Sequence, residues 1–81
     1  MSDALLDVRG LTCPLPVLRA KKTLKTVEHG ALLTVMATDP SSVNDFQIFC
    51  QQTGHRLEDW SEDDEGVYHY RIRKVDRSDG M

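Results

Sequence analysis

No stretch of this 81-residue chain is apolar for long enough to span a membrane, and its first residues lack the charged-then-apolar order of a secretion signal. Cysteine is scarce as well. Two residues, Cys13 and Cys50, stand far apart and cannot form the disulfide framework of a small secreted protein. These absences point to a reducing cytoplasm as the expected location. The length allows one small domain, expected to take in residues 1–81 and to be ordered over about 4–75, with neither repeat nor linker to divide it. A net charge of −3 excludes a general polyanion binder.

Several chemistries are missing too. Cys13, Cys50, His29, His55 and His69 show no C-x-x-C or H-x-x-x-H spacing, so no metal site is expected. A thioredoxin-like reductase needs a second cysteine three positions after Cys13, where Pro16 stands. A cysteine hydrolase needs a positioned histidine and an oxyanion hole, and no histidine is near Cys13 in sequence. No glycine-rich loop is present to cradle a phosphate, and no cofactor is expected.

What is present is the stretch Gly10-Leu11-Thr12-Cys13-Pro14-Leu15-Pro16, lying between a short apolar-polar run and an amphipathic segment. It reads as a strand-to-helix turn. Gly10 supplies the freedom of a tight turn, and Pro14 at the first helical position has its φ already set. Thr12 or Cys13 is then the N-cap, and the sulfur beside the positive helix end is expected to have a depressed pKa. Pro14 and Pro16 remove two backbone donors, so the sulfur is held rigidly without being wrapped in hydrogen bonds. That arrangement suits sulfur-on-sulfur exchange, in which a thiolate attacks a persulfide or disulfide directly, with no metal, cofactor or general base.

The rest of the chain supplies a frame. Residues 4–9 read as a strand. Val17, Ala20, Leu24 and Val27 recur at helical spacing from Pro14 to about Glu28, and His29-Gly30 ends that helix. Residues 32–37 form a second strand, parallel to the first across a right-handed crossover. Thr38-Asp39-Pro40-Ser41-Ser42 punctuates the chain before a second helix to about Thr53, capped by Ser41 or Ser42, with Asp45 near its positive end. Cys50 shares a face of that helix with Val43 and Phe46 and reads as a small buried hydrophobe, the alternative being a resolving partner for Cys13. Strands at 55–61 and 67–74 follow, joined around Asp63-Asp64-Glu65-Gly66. In the last, Tyr68, Tyr70 and Ile72 face one way and His69, Arg71 and Arg73 the other. Leu57 and Trp60 have opposite parity, so either a bulge intervenes or Trp60 patches the uncovered sheet face. Residues 76–81 are expected to fray. The fold class is α/β, a two-layer sandwich of order β-α-β-α-β-β with two helices on one face of a four-stranded mixed sheet.

Charge is uneven. Arg19, Lys21, Lys22 and Lys25 crowd the segment after Cys13, while acidic residues crowd 58–65. The run is either a solvated helix face or a basic collar that attracts an acidic partner to the cysteine.

At these residues the sequence resembles the TusA/SirA family. The match rests on Leu6-Asp7, Gly10-Leu11, Cys13-Pro14-Leu15-Pro16, Thr38-Asp39-Pro40, Phe49-Cys50 and Tyr70-Arg71-Ile72-Arg73-Lys74, from about residue 5 to 74. The resemblance implies a sulfur carrier, a sulfurtransferase-type protein and not a stand-alone enzyme, with its persulfide on Cys13 and Pro14 and Pro16 as the framing pair. Asp39, at the family's Asp-Pro landmark, is then near the partner surface, with Arg19, Lys21 and Lys22 steering docking. A cysteine desulfurase or rhodanese-type protein is the implied donor, and a DsrE-like protein or other sulfurtransferase the acceptor. Transfer RNA would be reached only indirectly, through 2-thiolation of the wobble uridine, and a monomer is expected. Two positions depart from the tRNA-thiolation carriers: Thr12 replaces a basic residue and Leu15 an acidic one, a change that bears on partner choice. Two other readings compete. One is a nucleic-acid-binding module using Arg71, Arg73 and Lys74; the other is a redox or regulatory adaptor in which Cys13 senses oxidants.

Overall fold

The computed structural model describes residues 3–75; the fraying expected for 76–81 falls outside them. Six elements follow in the expected order: β1 (Ala4–Val8), α1 (Leu15–Leu24), β2 (Leu32–Ala37), α2 (Ser42–Thr53), β3 (Arg56–Glu62) and β4 (Tyr68–Arg73). The sheet runs β1-β2-β4-β3, with β1 parallel to β2 and the other two pairings antiparallel.

Alternation decides which face the helices cover. In β2, Leu33, Val35 and Ala37 are buried, while Leu32, Thr34 and Met36 are only half covered. Register places Leu6 and Val8 of β1, and Tyr70 and Ile72 of β4, on the same side as the buried set. Ala20 and Leu24 of α1 and Phe46, Phe49 and Cys50 of α2 close over it, making one core. At its centre the Phe46 and Tyr70 rings lie 4.6 Å apart, and the buried Ser42 hydroxyl meets the Tyr70 hydroxyl at 2.6 Å.

Trp60 resolves in favour of the bulge. Leu57 pairs with Ile72, but the next pairing is Asp59 with Arg71, so one residue of β3 is skipped. That skip returns Trp60 to the face of Leu57, opposite Tyr70. Its ring packs 6.3 Å from that of Tyr70 and 6.4 Å from that of Tyr68, at the rim of the covered face instead of on the open one.

One helix boundary and one helix cap differ from the expectation. The first helix stops at Leu24, although Val27 continues its buried stripe. The Lys74 ammonium, arriving just after β4, donates to the carbonyls of Leu24 and, at 3.0 Å, of Val27. The last turn tightens, with the N–H groups of Lys25, Thr26 and Val27 donating to the carbonyls of Lys22, Thr23 and Leu24, and Lys74 adds a distant donor to this exit. Ser41 occupies the N-cap of α2 without capping it, because its hydroxyl donates instead to Asp39. At the other end Gly54, at φ +86°, takes the left-handed conformation that closes a helix, and its N–H donates to the Cys50 carbonyl at 2.9 Å. Among the described residues, no helix is long and apolar enough to cross a membrane.

Candidate functional site

Because β1 and β2 are parallel neighbours, the loops leaving them emerge side by side at one edge of the sheet. One loop carries Cys13 and the other Asp39. Two hydrogen bonds join them: the Gly10 N–H donates to the Thr38 hydroxyl at 2.9 Å, and the Cys13 N–H donates to the Asp39 carboxylate at 2.6 Å. Gly10 sits at φ +83°, which a side chain would oppose, so its place in the turn rests on backbone geometry. The same Asp39 carboxylate accepts from the Ser41 N–H at 3.1 Å and the Ser41 hydroxyl at 2.9 Å. The Cys13 amide first, then the two Ser41 donors, hold Asp39 below the usual carboxylate range.

The start of α1 differs from the expected cap. Pro14 is itself the N-cap residue, the helix begins at Leu15, and Pro16 occupies its first turn, buried. The Cys13–Pro14 peptide is cis. The Leu15 N–H, one of the two donors left near the sulfur, is spent on the Thr12 carbonyl at 2.9 Å. Cys13 itself is exposed.

The expected depression of its pKa is corrected: the thiol is pushed up from its ordinary value. The Asp45 carboxylate is the main cause, as a hydrogen-bond acceptor for the S–H; partial loss of solvent and the Asp45 charge add to it. Asp39 adds a smaller push in the same direction, and the Ser41 hydroxyl alone opposes them. A carboxylate beside the sulfur outweighs a helix end whose nearby amides are absent or engaged.

Asp45 and Cys13 line one cleft of about 220 Å³ between the two helices. Pro14 and Val17 line it from the α1 side; Asp45, Ile48, Phe49 and Gln52 line it from α2. Ile48 in this lining leaves 42% of its surface exposed, and on α1 Leu15 and Leu18, next in sequence to Pro14 and Val17, leave 42% and 52%. The α2 wall was not anticipated beyond the placing of Asp45 near a helix end. Its signal is the i, i+3, i+4, i+7 spacing of residues 45, 48, 49 and 52, a second helical face beside the core face of Val43, Phe46 and Cys50.

Arg19, Lys21 and Lys22 are exposed on α1, and none of their charges acts appreciably on the Cys13 thiol. Cys50 is buried and free, and desolvation pushes its thiol to about 11. On the open sheet face the expected cations are already paired. Arg71 holds Asp59 through two nitrogens, and Arg73 meets Glu58 at 2.8 Å. Lys74 is turned to the carbonyls at the end of α1. A phosphate backbone would have to displace these partners, which counts against the nucleic-acid reading.

The chain resembles known proteins over nearly its whole length. The family described as Sulfurtransferase TusA matches residues 4–74. A sulfur carrier protein TusA of Allochromatium vinosum is 51% identical over 72 residues, covering 89% of this chain and 93% of that protein. A putative sulfur carrier protein of Neisseria meningitidis serogroup A is 56% identical over 68 residues, covering 84% and 90%. Among solved structures, a SirA-like protein from Desulfitobacterium hafniense superposes with a TM-score of 0.79 at 31% identity, over 90% of this chain and 99% of that one.

Proposed function

We propose, since the chain belongs to the TusA sulfurtransferase family of sulfur carriers, that it carries sulfane sulfur as a persulfide on Cys13. The observation that supports this most directly is the contrast between its two thiols. Cys13 is exposed at the mouth of an apolar cleft on a loop pinned by Asp39, whereas Cys50 is buried with its thiol raised to about 11.

The exchange needs no other reagent. The Cys13 thiolate attacks the outer sulfur of a donor persulfide, R–S–SH. A new S–S bond forms, the donor's S–S bond breaks, and its electron pair leaves on the donor's inner sulfur, which then takes up a proton. The transferred sulfur keeps its oxidation state. An acceptor thiolate repeats the attack on the outer sulfur of Cys13–S–SH and releases Cys13 as thiolate. Pro14 and Pro16 hold the corner, and Asp39 fixes the Cys13 amide, so the sulfur presents itself in one direction to both partners.

A cysteine desulfurase or rhodanese-type protein fills the donor role and a DsrE-like protein or other sulfurtransferase the acceptor role, in the cytoplasm. Exposed Arg19, Lys21 and Lys22 attract acidic surfaces to this side of the molecule, an effect that salt weakens over about 8 Å at physiological ionic strength. The test is mass spectrometry of intact protein after incubation with a cysteine desulfurase and cysteine. One added sulfur atom is expected in wild type and in Cys50→Ser, and none in Cys13→Ser. An adduct that persists without Cys13 overturns the reading.

A further inference from the structure

The cleft beside Cys13 has apolar walls apart from Gln52, and its one charged side chain is Asp45. Its place in the first turn of α2 suits the positive helix end, and the same placement puts its carboxylate in the cleft. Asp45 is only half exposed and lines the same cleft as the single exposed cysteine. Carboxylates are weaker bases than thiolates by roughly five pKa units. A carboxylate that shares an apolar cleft with a thiol therefore does not draw the proton off the sulfur; its charge opposes negative charge on the thiolate.

The geometry points to Asp45 as a positioning residue that brakes the free carrier: it keeps the proton on Cys13 until a donor protein seats a cationic, apolar-flanked segment in the cleft. This rests on the reading of Cys13 as the sulfur-bearing residue. The choice of occupant follows from charge. Closing an apolar cleft over a lone carboxylate removes it from water without compensation, at a cost that only a counter-charge from the incoming partner offsets. The Val17, Ile48 and Phe49 side chains would then cover the stem of a lysine or arginine whose head reaches Asp45. Once paired, Asp45 no longer opposes the thiolate, and Cys13 becomes nucleophilic where its donor waits.

The groups facing the sulfur all bear on this. From α2 comes Asp45 and from the loop before it Asp39, both raising the thiol pKa; the Ser41 hydroxyl lowers it. From the α1 side the facing residues, Pro14 and Val17, carry no charge. Asp39 is committed to backbone and Ser41 donors, which leaves Asp45 as the carboxylate free to change partner.

The test compares wild type, Asp45→Asn and Asp45→Glu, each verified as folded by circular dichroism. Three measurements are made: the pH profile of Cys13 alkylation by iodoacetamide in a Cys50→Ser background, loading from glutathione persulfide, and loading from a cysteine desulfurase. In Asp45→Asn the alkylation midpoint should fall to lower pH. Alkylation at pH 7 should then rise about threefold, the gain in thiolate being partly offset by its lower nucleophilicity. Loading from the small persulfide should accelerate while loading from the protein donor slows, and Asp45→Glu should restore both. A merely structural defect would slow both donors alike. An unchanged alkylation midpoint overturns the brake, and an undiminished rate with the protein donor overturns the cationic docking. If wild type accepts sulfur from neither donor, the carrier reading fails, and the alkylation profile still decides whether Asp45 restrains the thiol.

Discussion

The Asp39 carboxylate accepts the backbone N–H of Cys13 at 2.6 Å, joining loops 26 residues apart in the chain. This contact fixes the peptide that carries the sulfur and leaves the sulfur itself unbonded to it. Asp39 thus acts through the loop, and its effect should appear in how well Cys13 is presented.

Replacing Asp39 with Ala should slow sulfur loading by about 10- to 100-fold, the usual consequence of misplacing a reacting atom by an ångström or so. Stopped-flow loading from a desulfurase reads this directly. The pH sign follows from the lowered carboxylate. The contact stabilises the folded loop fully above the ordinary Asp value of about 3.9 and is lost as pH falls through the still lower folded value. Asp39 should therefore hold Cys13 in place unchanged between pH 5 and 8, roughly, and release it only in acid. A titration of the Cys13 amide resonance checks the window.

The two thiols should separate cleanly under native alkylation. Cys50, buried and raised to about 11, should remain unmodified at neutral pH until the protein is unfolded. Cys50→Ser places a hydroxyl in an apolar site and should lower stability by about 1–3 kcal/mol in urea melts while sulfur loading continues. Loss of loading in a folded Cys50→Ser protein would make it the resolving thiol that its burial argues against.

Tyr70 and Ser42 tie β4 to α2 through a buried hydroxyl pair at 2.6 Å. Tyr70→Phe leaves the Ser42 hydroxyl without a partner and should cost about 1–3 kcal/mol. Adding Ser42→Ala removes the orphaned group and should recover part of that loss, so a double-mutant cycle by chemical denaturation gives a coupling of measurable size.

Most of the architecture was legible in the chain because local periodicity dictates it. Val17, Ala20 and Leu24 mark one helix, and Tyr68, Tyr70 and Ile72 mark the last strand, before any contact is known. What stayed hidden depends on residues meeting from afar. Lys74 braces the end of α1 by reaching carbonyls 50 and 47 positions away, a contact that no local feature of Leu24 announces. Trp60 joins the covered face only because one residue of β3 is skipped against β4. The position between β2 and β3 that β4 takes is likewise a property of the whole sheet. At the site, Cys13 and its prolines were visible as a motif. The sign of the thiol's shift was not, since it turns on Asp45, 32 residues later on another helix.

The apolar rim around Cys13 gives a final separation, between docking and chemistry. Leu15 and Ile48 each leave 42% of their surface to solvent within a chain whose other apolar side chains largely fill one core. Neither carries charge, so neither supplies the main restraint on the sulfur, which is Asp45. Changing both to Gln should leave the alkylation profile of Cys13 and loading from a small persulfide close to wild type. Loading from a protein donor should fall by about tenfold or more, since burying such anchors is where an interface gains most of its affinity. If both donors slow equally, the rim acts on the loop and not on the partner. If neither slows, the partner approaches Cys13 from another side, and the basic face of α1 carrying Arg19 and Lys22 becomes the surface to mutate next.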